Sequence, residues 1–315
     1  MTEVVSPVDL PVAAVVKRRS FILDVLTRLV KEKPLGTVGG IITLILLLVG
    51  IFANFLAPFG YNEIDLASRL SPPSAHHVLG ADNLGRDLLS RIIYGARISM
   101  YVGLAGSLLS VMIEMTIGIL SGFFGGKLDL TVQRFVDAFQ SIPPLFFYLT
   151  IMAVLGPGLI QVIFVLGMVH GIRQSRVARS ATIGIMGNVY IEAARAIGAT
   201  NSRILLKHIL PNVVAVIMVA FTVTIGFMII SEATLSFLGF GIPPPIPSWG
   251  SMLSESGRRY MLLAPWMALW PGLALAIVVY GINMLGDAFR DILDPRLRGG
   301  LGRYSGTKKR QPDKL

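Results

Sequence analysis

Apolar residues in this chain gather in runs of about twenty, enough to cross roughly 30 Å of hydrocarbon at about 1.5 Å per helical residue. Six such segments are predicted, at residues 36–55, 98–124, 135–155, 158–171, 213–231 and 265–286. The fourth is short, and the third contains Asp137, Pro143 and Pro144. The pattern predicts an all-α polytopic membrane protein with six transmembrane helices. Ahead of the first span Phe21, Val25 and Leu29 recur every fourth residue, as do Ile22, Leu26 and Val30, beside Lys17, Arg18, Arg19, Arg28 and Lys31. That spacing predicts an amphipathic helix lying on the inner membrane surface.

Composition agrees. The 315 residues are 53% hydrophobic and 15% charged, with a mean hydropathy of +0.70, too apolar for a soluble domain of this length. The net charge of +10 invites a nucleic-acid reading, but the basic residues do not cluster on one soluble module and no aromatic stacking motif accompanies them. With no cysteine, disulfides and thiolate metal sites are excluded. The opening stretch shows no short apolar run before a small-residue cleavage site, so no removable signal peptide is expected.

The basic residues instead orient the chain. Lys and Arg number six before the first span, then four, two, none, six and two in successive connections, and eight after the last. With the N-terminus in the cytosol, the inner side holds 22 of the 28 and the outer side 6. Merging the third and fourth spans would leave 10 inside against 18 outside, so charge favours splitting them at Gly156-Pro157-Gly158. Both termini are then cytosolic, and two sizeable loops, 57–97 and 232–264, lie outside.

The polar stretch EAARAIGATNSRILLKHILP at 192–211 falls between the fourth and fifth spans, on the cytosolic side. Glu192 sits near the start of a short helix, where its charge suits the dipole, and Gly198 can take the left-handed conformation that ends it. Thr200 or Asn201 can cap a second helix, which Pro211 is expected to terminate before the fifth span. Arg203 and Lys207, four apart, share one face, and Ile204, Leu205 and Ile209 offer apolar contact on others. Two short helices at an angle make a compact knob that a partner protein can grip; a solvated hairpin without a partner fits the spacing equally well.

A second distinctive stretch, HHVLGADNLGRDLLSRIIYGARISMYVG, runs from His76 to Gly103. Asp82 and Asn83 are placed to cap a helix through residues 84–94, with Leu88 and Ile92, and Leu89 and Ile93, paired at helical spacing on the outer surface.

Glu192, Ala193, Ala194, Gly198 and Pro211 resemble the coupling loop of membrane subunits in binding-protein-dependent ATP-binding-cassette importers. His77, Leu79-Gly80, Asp82, Gly85-Arg86-Asp87, Ser90-Arg91, Gly95 and Arg97-Ile98-Ser99 are similar to the C-type permease of the dipeptide, oligopeptide and nickel family, with Ala81 standing where that family usually has Thr. Ser236-Phe237-Leu238-Gly239, the proline-rich 243–249 and Gly286-Asp287 extend the likeness over roughly residues 34–300.

The resemblance implies a type I importer transmembrane domain in the prokaryotic plasma (inner) membrane. It implies a second homologous permease, two cytosolic ATPases carrying ATP and magnesium, and an extracytoplasmic solute-binding protein. Glu192, Ala193, Ala194, Arg195, Gly198, Arg203, Lys207 and Pro211 would form the ATPase-coupling surface. Phe237, Phe240 and Trp249 would belong to an outer gate or docking surface. The implied division is a cytosolic tail with its interfacial helix at 1–34, the first span and outer loop at 35–97, a five-helix core at 98–287 and a basic cytosolic tail at 288–315. Di- or oligopeptides are the expected solutes, with nickel or another small solute as the alternative.

Glu114 is the one ionisable residue the sequence places deep in a span, where a charge costs at least about 2.5 kcal/mol. It is expected either to line the solute path or to hold a neighbouring helix. Gly118, Gly122 and Gly126, and Gly167 and Gly171, recur at four-residue steps and point to close helix packing. His76, His77, His170 and His208 are too scattered for convergent metal ligands. The nearest approach to a phosphate-binding loop has Ser121 where the first Gly belongs and Leu128 where Ser or Thr must meet magnesium, so neither ATP hydrolysis nor a bound cofactor is expected of this chain. A secondary transporter driven by an ion gradient would need several charged or broken-helix sites at mid-membrane, preferably in inverted repeats; one carboxylate and no repeat are found.

Overall fold

In the computed structural model, residues 21–254 and 259–293 are described, and every regular element among them is a helix. The elements are α1 (Phe21–Glu32), α2 (Pro34–Ile51), α3 (Leu88–Phe124), α4 (Gly126–Ser141), α5 (Pro144–Leu155), α6 (Leu159–Met186), α7 (Val189–Ala196), α8 (Asn201–Ile204), α9 (Leu210–Phe237), α10 (Trp249–Met252) and α11 (Trp266–Leu293). Among them α2, α3, and the stretches Val216–Phe237 and Trp266–Ile292 are long and apolar enough to cross a membrane. A fifth crossing follows if α4 and α5 are counted as one bent span. The sixth expected span, α6, has the length at 28 residues, but Arg173, Gln174 and Arg176 interrupt its apolar run soon after Gly171. It continues to Met186, well past the predicted end.

The third predicted span, 135–155, is not one straight helix. α4 and α5 meet at 90°, because Pro143 and Pro144 cannot continue the helix and force Ile142 into an extended conformation (φ −97°, ψ 131°). The predicted outer surface helix also differs. Asp82 caps nothing helical: it accepts from the Leu84 and Arg86 N–H groups in a turn, and the helix starts at Leu88 with Asp87 as its cap, Oδ2 accepting from the Ser90 N–H at 2.7 Å. From there α3 runs through a single π turn at Val102–Gly106 into the second span.

Packing separates central from peripheral helices. Half of the α3 window is buried, against 22% for α2 and for α11, whose outward faces carry Ile41, Ile45, Leu273 and Ile277. α3 and α6 lie together along small residues. A Cβ on Gly118 would stand 2.3 Å from the Ser175 carbonyl oxygen, and one on Gly171 2.6 Å from that of Ser110. Three apolar clusters then stack through the bundle. One joins Val102, Met152, Leu166 and Met228; a second joins Leu46, Leu88, Trp249 and Ile282 at the loop end; the third joins Ile119, Phe123, Ala178 and Ile217 at the opposite, knob end. α1 is helical as its periodicity predicts, with Leu29 buried against Ala288 and Ile292. Lys17, Arg18, Arg19 and the basic tail after residue 293 lie outside the described residues.

Candidate functional site

The stretch between α6 and α9 folds as a knob whose inner face is part of the bundle. Glu192 falls in the first turn of α7. The helix ends in a Schellman closure: the Ala199 N–H reaches the Ala194 carbonyl at 3.0 Å and the Gly198 N–H that of Arg195 at 2.9 Å. This closure needs a left-handed residue, and Gly198 supplies it with φ +83°. Thr200 then caps α8, its hydroxyl accepting from the Arg203 N–H at 3.4 Å.

Pro211 does not terminate the second helix, contrary to expectation. α8 passes through a π turn at Leu205–Ile209 directly into α9, and Pro211 sits in the first turn after that bulge, where its missing N–H is absorbed by the altered hydrogen-bond register. The Asn212 side chain donates to the His208 carbonyl at 2.6 Å, supplying one of the bonds the bulge disturbs. The knob is thereby continuous with the fifth predicted span rather than hinged to it.

Burial divides the candidate residues. Ile191, Ala194, Ile204 and Ile209 pack with Ile119, Phe123, Ala178 and Val213, fastening both arms of the elbow to α3, α6 and α9. Ile204 and Ile209 are therefore not available to a partner, as their spacing had suggested. Glu192, Ala193, Arg195, Gly198, Arg203 and Lys207 are exposed, and Leu205 is half-buried. Apolar contact on the outer face falls instead to Val189 and Ile197, 79% and 87% exposed, and to Leu206. Ile197 carried a signal in the sequence: it is a large apolar residue directly before the left-handed glycine, where the chain must turn outward.

Behind the knob lies a polar zipper that the spans concealed. Arg173, Arg176 and Arg179 recur at three-residue steps on α6 and face Asp129, Gln133, Asp137 and Gln140 on α4. Arg179 binds both oxygens of Asp129 at 2.6 Å; Arg176 reaches Gln133 and Gln140 at 3.2 Å and pairs with Asp137. Arg173 donates to the Phe139 and Ile142 carbonyls at 2.9 and 3.0 Å, and Gln140 returns a bond to the Arg173 carbonyl. These bonds satisfy α4's last turn and hold it along α6 up to the proline break.

The other candidates separate. Glu114, 5% exposed, lies on the α3 face that meets α6, between the Ser110–Gly171 and Gly118–Ser175 approaches. Phe237 and Phe240 are exposed, whereas Trp249 is 2% exposed, its indole N–H donating to the Ile92 carbonyl at 3.1 Å. Glu114 is not the one ionisable group buried in a span, because α9 extends to Phe237 and includes Glu232, which is wholly buried. In the 57–87 loop the His77 ring pairs with Asp87 at 3.0 Å and Arg86 with Asp82 at 2.7 Å, while the Ser68 hydroxyl and then the Ala67 N–H hold the Asp65 carboxyl below its ordinary range. No three His, Cys, Asp or Glu side chains converge among the described residues.

Residues 114–299 match the family model described as binding-protein-dependent transport system inner membrane component, and residues 20–73 match the N-terminal TM domain of oligopeptide transport permease C. The chain belongs to this family of permeases. The permease is 39% identical to the dipeptide transport system permease protein DppC of Alkalihalophilus pseudofirmus over 85% of this chain and 88% of that one. It is 37% identical to the oligopeptide transport system permease protein OppC of Bacillus subtilis, with the same coverage. With the glutathione transport system permease protein GsiD of Pectobacterium atrosepticum it shares 38% over 85% of this chain and 89% of that one. The fold is also that of a chain from inward-facing MetNI methionine ABC transporter structures, with a TM-score of 0.54 at 22% identity over 66% of the permease and 98% of that chain. It is thus a multi-pass inner membrane permease with the type I importer fold.

Proposed function

We propose that the permease carries di- or oligopeptides into the cell, pairing with a second permease, with its knob seated on a cytosolic ATPase and its 57–87 and 238–253 loops facing an extracytoplasmic binding protein. The observation that carries the coupling role is the division within the knob. Its inner isoleucines are buried in the bundle, while Glu192, Arg195, Arg203, Lys207 and Ile197 stand outside on an elbow closed by Gly198. Such an elbow transmits displacement because it cannot deform separately from α9, into which it runs without a break. Closure of the ATPases would push it and tilt the bundle. Only contacts that differ between the two states can then bias the solute path.

Peptide as solute rests on the relatives, whose names specify dipeptide, oligopeptide and glutathione transport. The cytosolic placement of the knob rests on the positive-inside count.

The chain has no native cysteine, so a single Ile197→Cys can be crosslinked cleanly to the ATPase in the assembled complex. The expected result is a crosslink whose yield changes on ATP binding, together with loss of labelled dipeptide uptake in Glu192→Lys at normal membrane levels. Absence of any crosslink to a nucleotide-hydrolysing subunit, or normal uptake in Glu192→Lys, rejects the coupling role. A peptide-loaded binding protein that fails to stimulate hydrolysis where a nickel-loaded one succeeds rejects the solute.

A further inference from the structure

The chain enters α11 through a tight turn. The Leu263 and Ala264 N–H groups both donate to the Tyr260 carbonyl, at 2.9 and 2.7 Å, and the Met267 N–H donates to that of Ala264 at 3.1 Å, so the turn runs straight into the helix. Closing the chain this way leaves Met261, Leu262 and Leu263 at the tip, 56%, 94% and 73% exposed. Leu262 is the most exposed large apolar side chain among the described residues. Trp266 ties the turn to the 57–87 loop: its indole N–H donates to the Ala81 carbonyl at 3.3 Å, and a Cβ on Gly80 would stand 2.8 Å from its Cδ1. The tip therefore sits where that loop meets the start of α11.

The pattern of burial says what the tip faces. Ala264, Met267, Pro271 and Val278 are buried at helical spacing, one face against the bundle. Leu262, Pro265, Leu269, Leu273, Ile277 and Tyr280 are exposed at steps of three and four, the opposite face. α11 is a peripheral membrane-crossing helix, only 22% buried over its apolar window, and an exposed stripe of leucine and isoleucine on such a helix faces lipid. The tip prolongs this stripe past the end of the helix. Tyr260, Trp266 and Trp270 bracket it half-buried, the residue types that gather where a membrane meets water. Arg259 is exposed immediately before Tyr260, and its long stem lets the guanidinium stay among headgroups while the leucines go deeper. The tip stops at the interface rather than in hydrocarbon, because a turn has too few internal hydrogen bonds to satisfy its backbone away from water.

We propose that residues 259–263 are a lipid anchor: Leu262 and Leu263 seat among the upper acyl chains of the phospholipid leaflet on the loop side, with Arg259 at its phosphates. The occupant is lipid rather than a partner protein because the tip continues the exposed face of α11 and carries the aromatic and basic residues of a membrane interface. The anchor holds the end of α11 at one depth and, through the Trp266–Ala81 bond, the 57–87 loop with it. That the leaflet is the outer one rests on the orientation proposed above; the seat in lipid does not.

The test uses the complete importer in proteoliposomes of phosphatidylethanolamine and phosphatidylglycerol. This chain carries one cysteine labelled with a polarity-sensitive nitrobenzoxadiazole, and the other subunits are freed of reactive thiols. Leu262→Cys reports the tip. Ala75→Cys, exposed in the 57–87 loop, is the reference for water, and Leu273→Cys, about 10 Å into α11 at about 1.5 Å per residue, the reference for deep lipid. Emission from Leu262→Cys is expected to be blue-shifted from that of Ala75→Cys and to lose most intensity to a lipid carrying a nitroxide at the top of its acyl chain. Leu273→Cys should lose most to a nitroxide near the chain end, and iodide should quench Ala75→Cys alone. Adding Leu263→Glu is expected to shift the Leu262→Cys emission to the red and weaken its quenching by lipid. Iodide quenching of Leu262→Cys equal to that of Ala75→Cys puts the tip in water and overturns the anchor. Protection from iodide and from every nitroxide lipid, with or without the binding protein, puts protein on the tip and overturns it as well. A membrane-impermeant maleimide that reaches Ala75→Cys only from the knob side reverses the orientation, and the quenching pattern still decides the anchor.

Discussion

Arg179 and Asp129 meet in a two-pronged ion pair, both contacts 2.6 Å, that joins the basic half of α6 to the first turn of α4. The pair stands just behind the knob, since the next turn of α6 carries Thr182 against Gly122 of α3 and α7 begins at Val189. Under the proposed coupling, motion delivered to the elbow would reach α4 through charged groups as well as through apolar contact. Beyond Ser141 the proline break turns the chain by 90°, and α5 packs separately on the start of α6, through Tyr148 and Met152 against Val162, Val165 and Leu166.

Removing the charge from this pair tests how firmly α4 is held. The side chains are 30% and 17% exposed, so screening by solvent is moderate and the pair is worth about 1 kcal/mol. Asp129→Asn and Arg179→Met should each lower the thermal stability of the purified permease. Their double variant should cost less than the sum, with a coupling of about 1 kcal/mol in a double-mutant cycle. Additive effects would mean the two groups are held by something else.

The α3–α6 seam makes a sharper contrast between two glycines. Gly118 faces backbone, with the Ser175 carbonyl oxygen 2.3 Å and the Arg179 nitrogen 2.7 Å from an added Cβ, so Gly118→Ala must part the helices and should cost about 1–3 kcal/mol. Gly184, on the same α6, has nothing within 4 Å and an ordinary helical backbone. There Ala should be neutral or stabilise by up to about 1 kcal/mol. Melting curves of the two variants decide it; equal destabilisation would refute the seam as the reason for the glycines.

Much of this was legible in the residues. Gly118, Gly122, Gly167 and Gly171 announced the seam, although Gly126, in step with them, begins α4 with nothing within 4 Å of an added Cβ; Gly198 announced the elbow, and Pro143-Pro144 the weakness of the third span. What escaped did so for physical reasons. Glu232 falls one residue past an apolar run, and a hydropathy drop looks the same whether a helix ends or a buried carboxyl begins; only the loop packed over it distinguishes them. Arg173, Arg176 and Arg179 were read as orientation charges, although their three-residue step marked one helical face and Asp129, Gln133, Asp137 and Gln140 marked the complementary one. Pairing across forty residues of sequence is not written in either segment. The role of the 192–211 elbow rested on resemblance, since its spacing alone fits a solvated hairpin as well.

Trp249 should be a wedge. Its ring lies where a side chain on Gly95 would collide, 2.8 Å from an added Cβ, and its N–H is spent on the Ile92 carbonyl. Trp249→Ala should cost about 3–5 kcal/mol through the lost volume. Trp249→Phe keeps most of the ring and should cost about 1 kcal/mol for the hydrogen bond, plus the smaller packing loss. Stability of both variants, measured by thermal unfolding in detergent, checks the order; equal losses would show that the hydrogen bond rather than the packing holds the loop end.

Gly198 isolates backbone conformation from packing, because nothing lies within 4 Å of an added Cβ while φ is +83°. Any effect of substitution there is the cost of the left-handed geometry, about 1–2 kcal/mol for an ordinary residue and less for Asn. A β-branched side chain adds to it. If the elbow transmits force as proposed, uptake should fall in the order Gly, Asn, Ala, Val, while membrane levels stay constant and basal ATP hydrolysis persists in the assembled importer. The buried isoleucines on either arm keep the elbow attached in every variant, so what changes is the angle at which Glu192 and Arg203 are presented. Uptake that is indifferent to this series would show that the Schellman closure shapes the knob without mattering to transport.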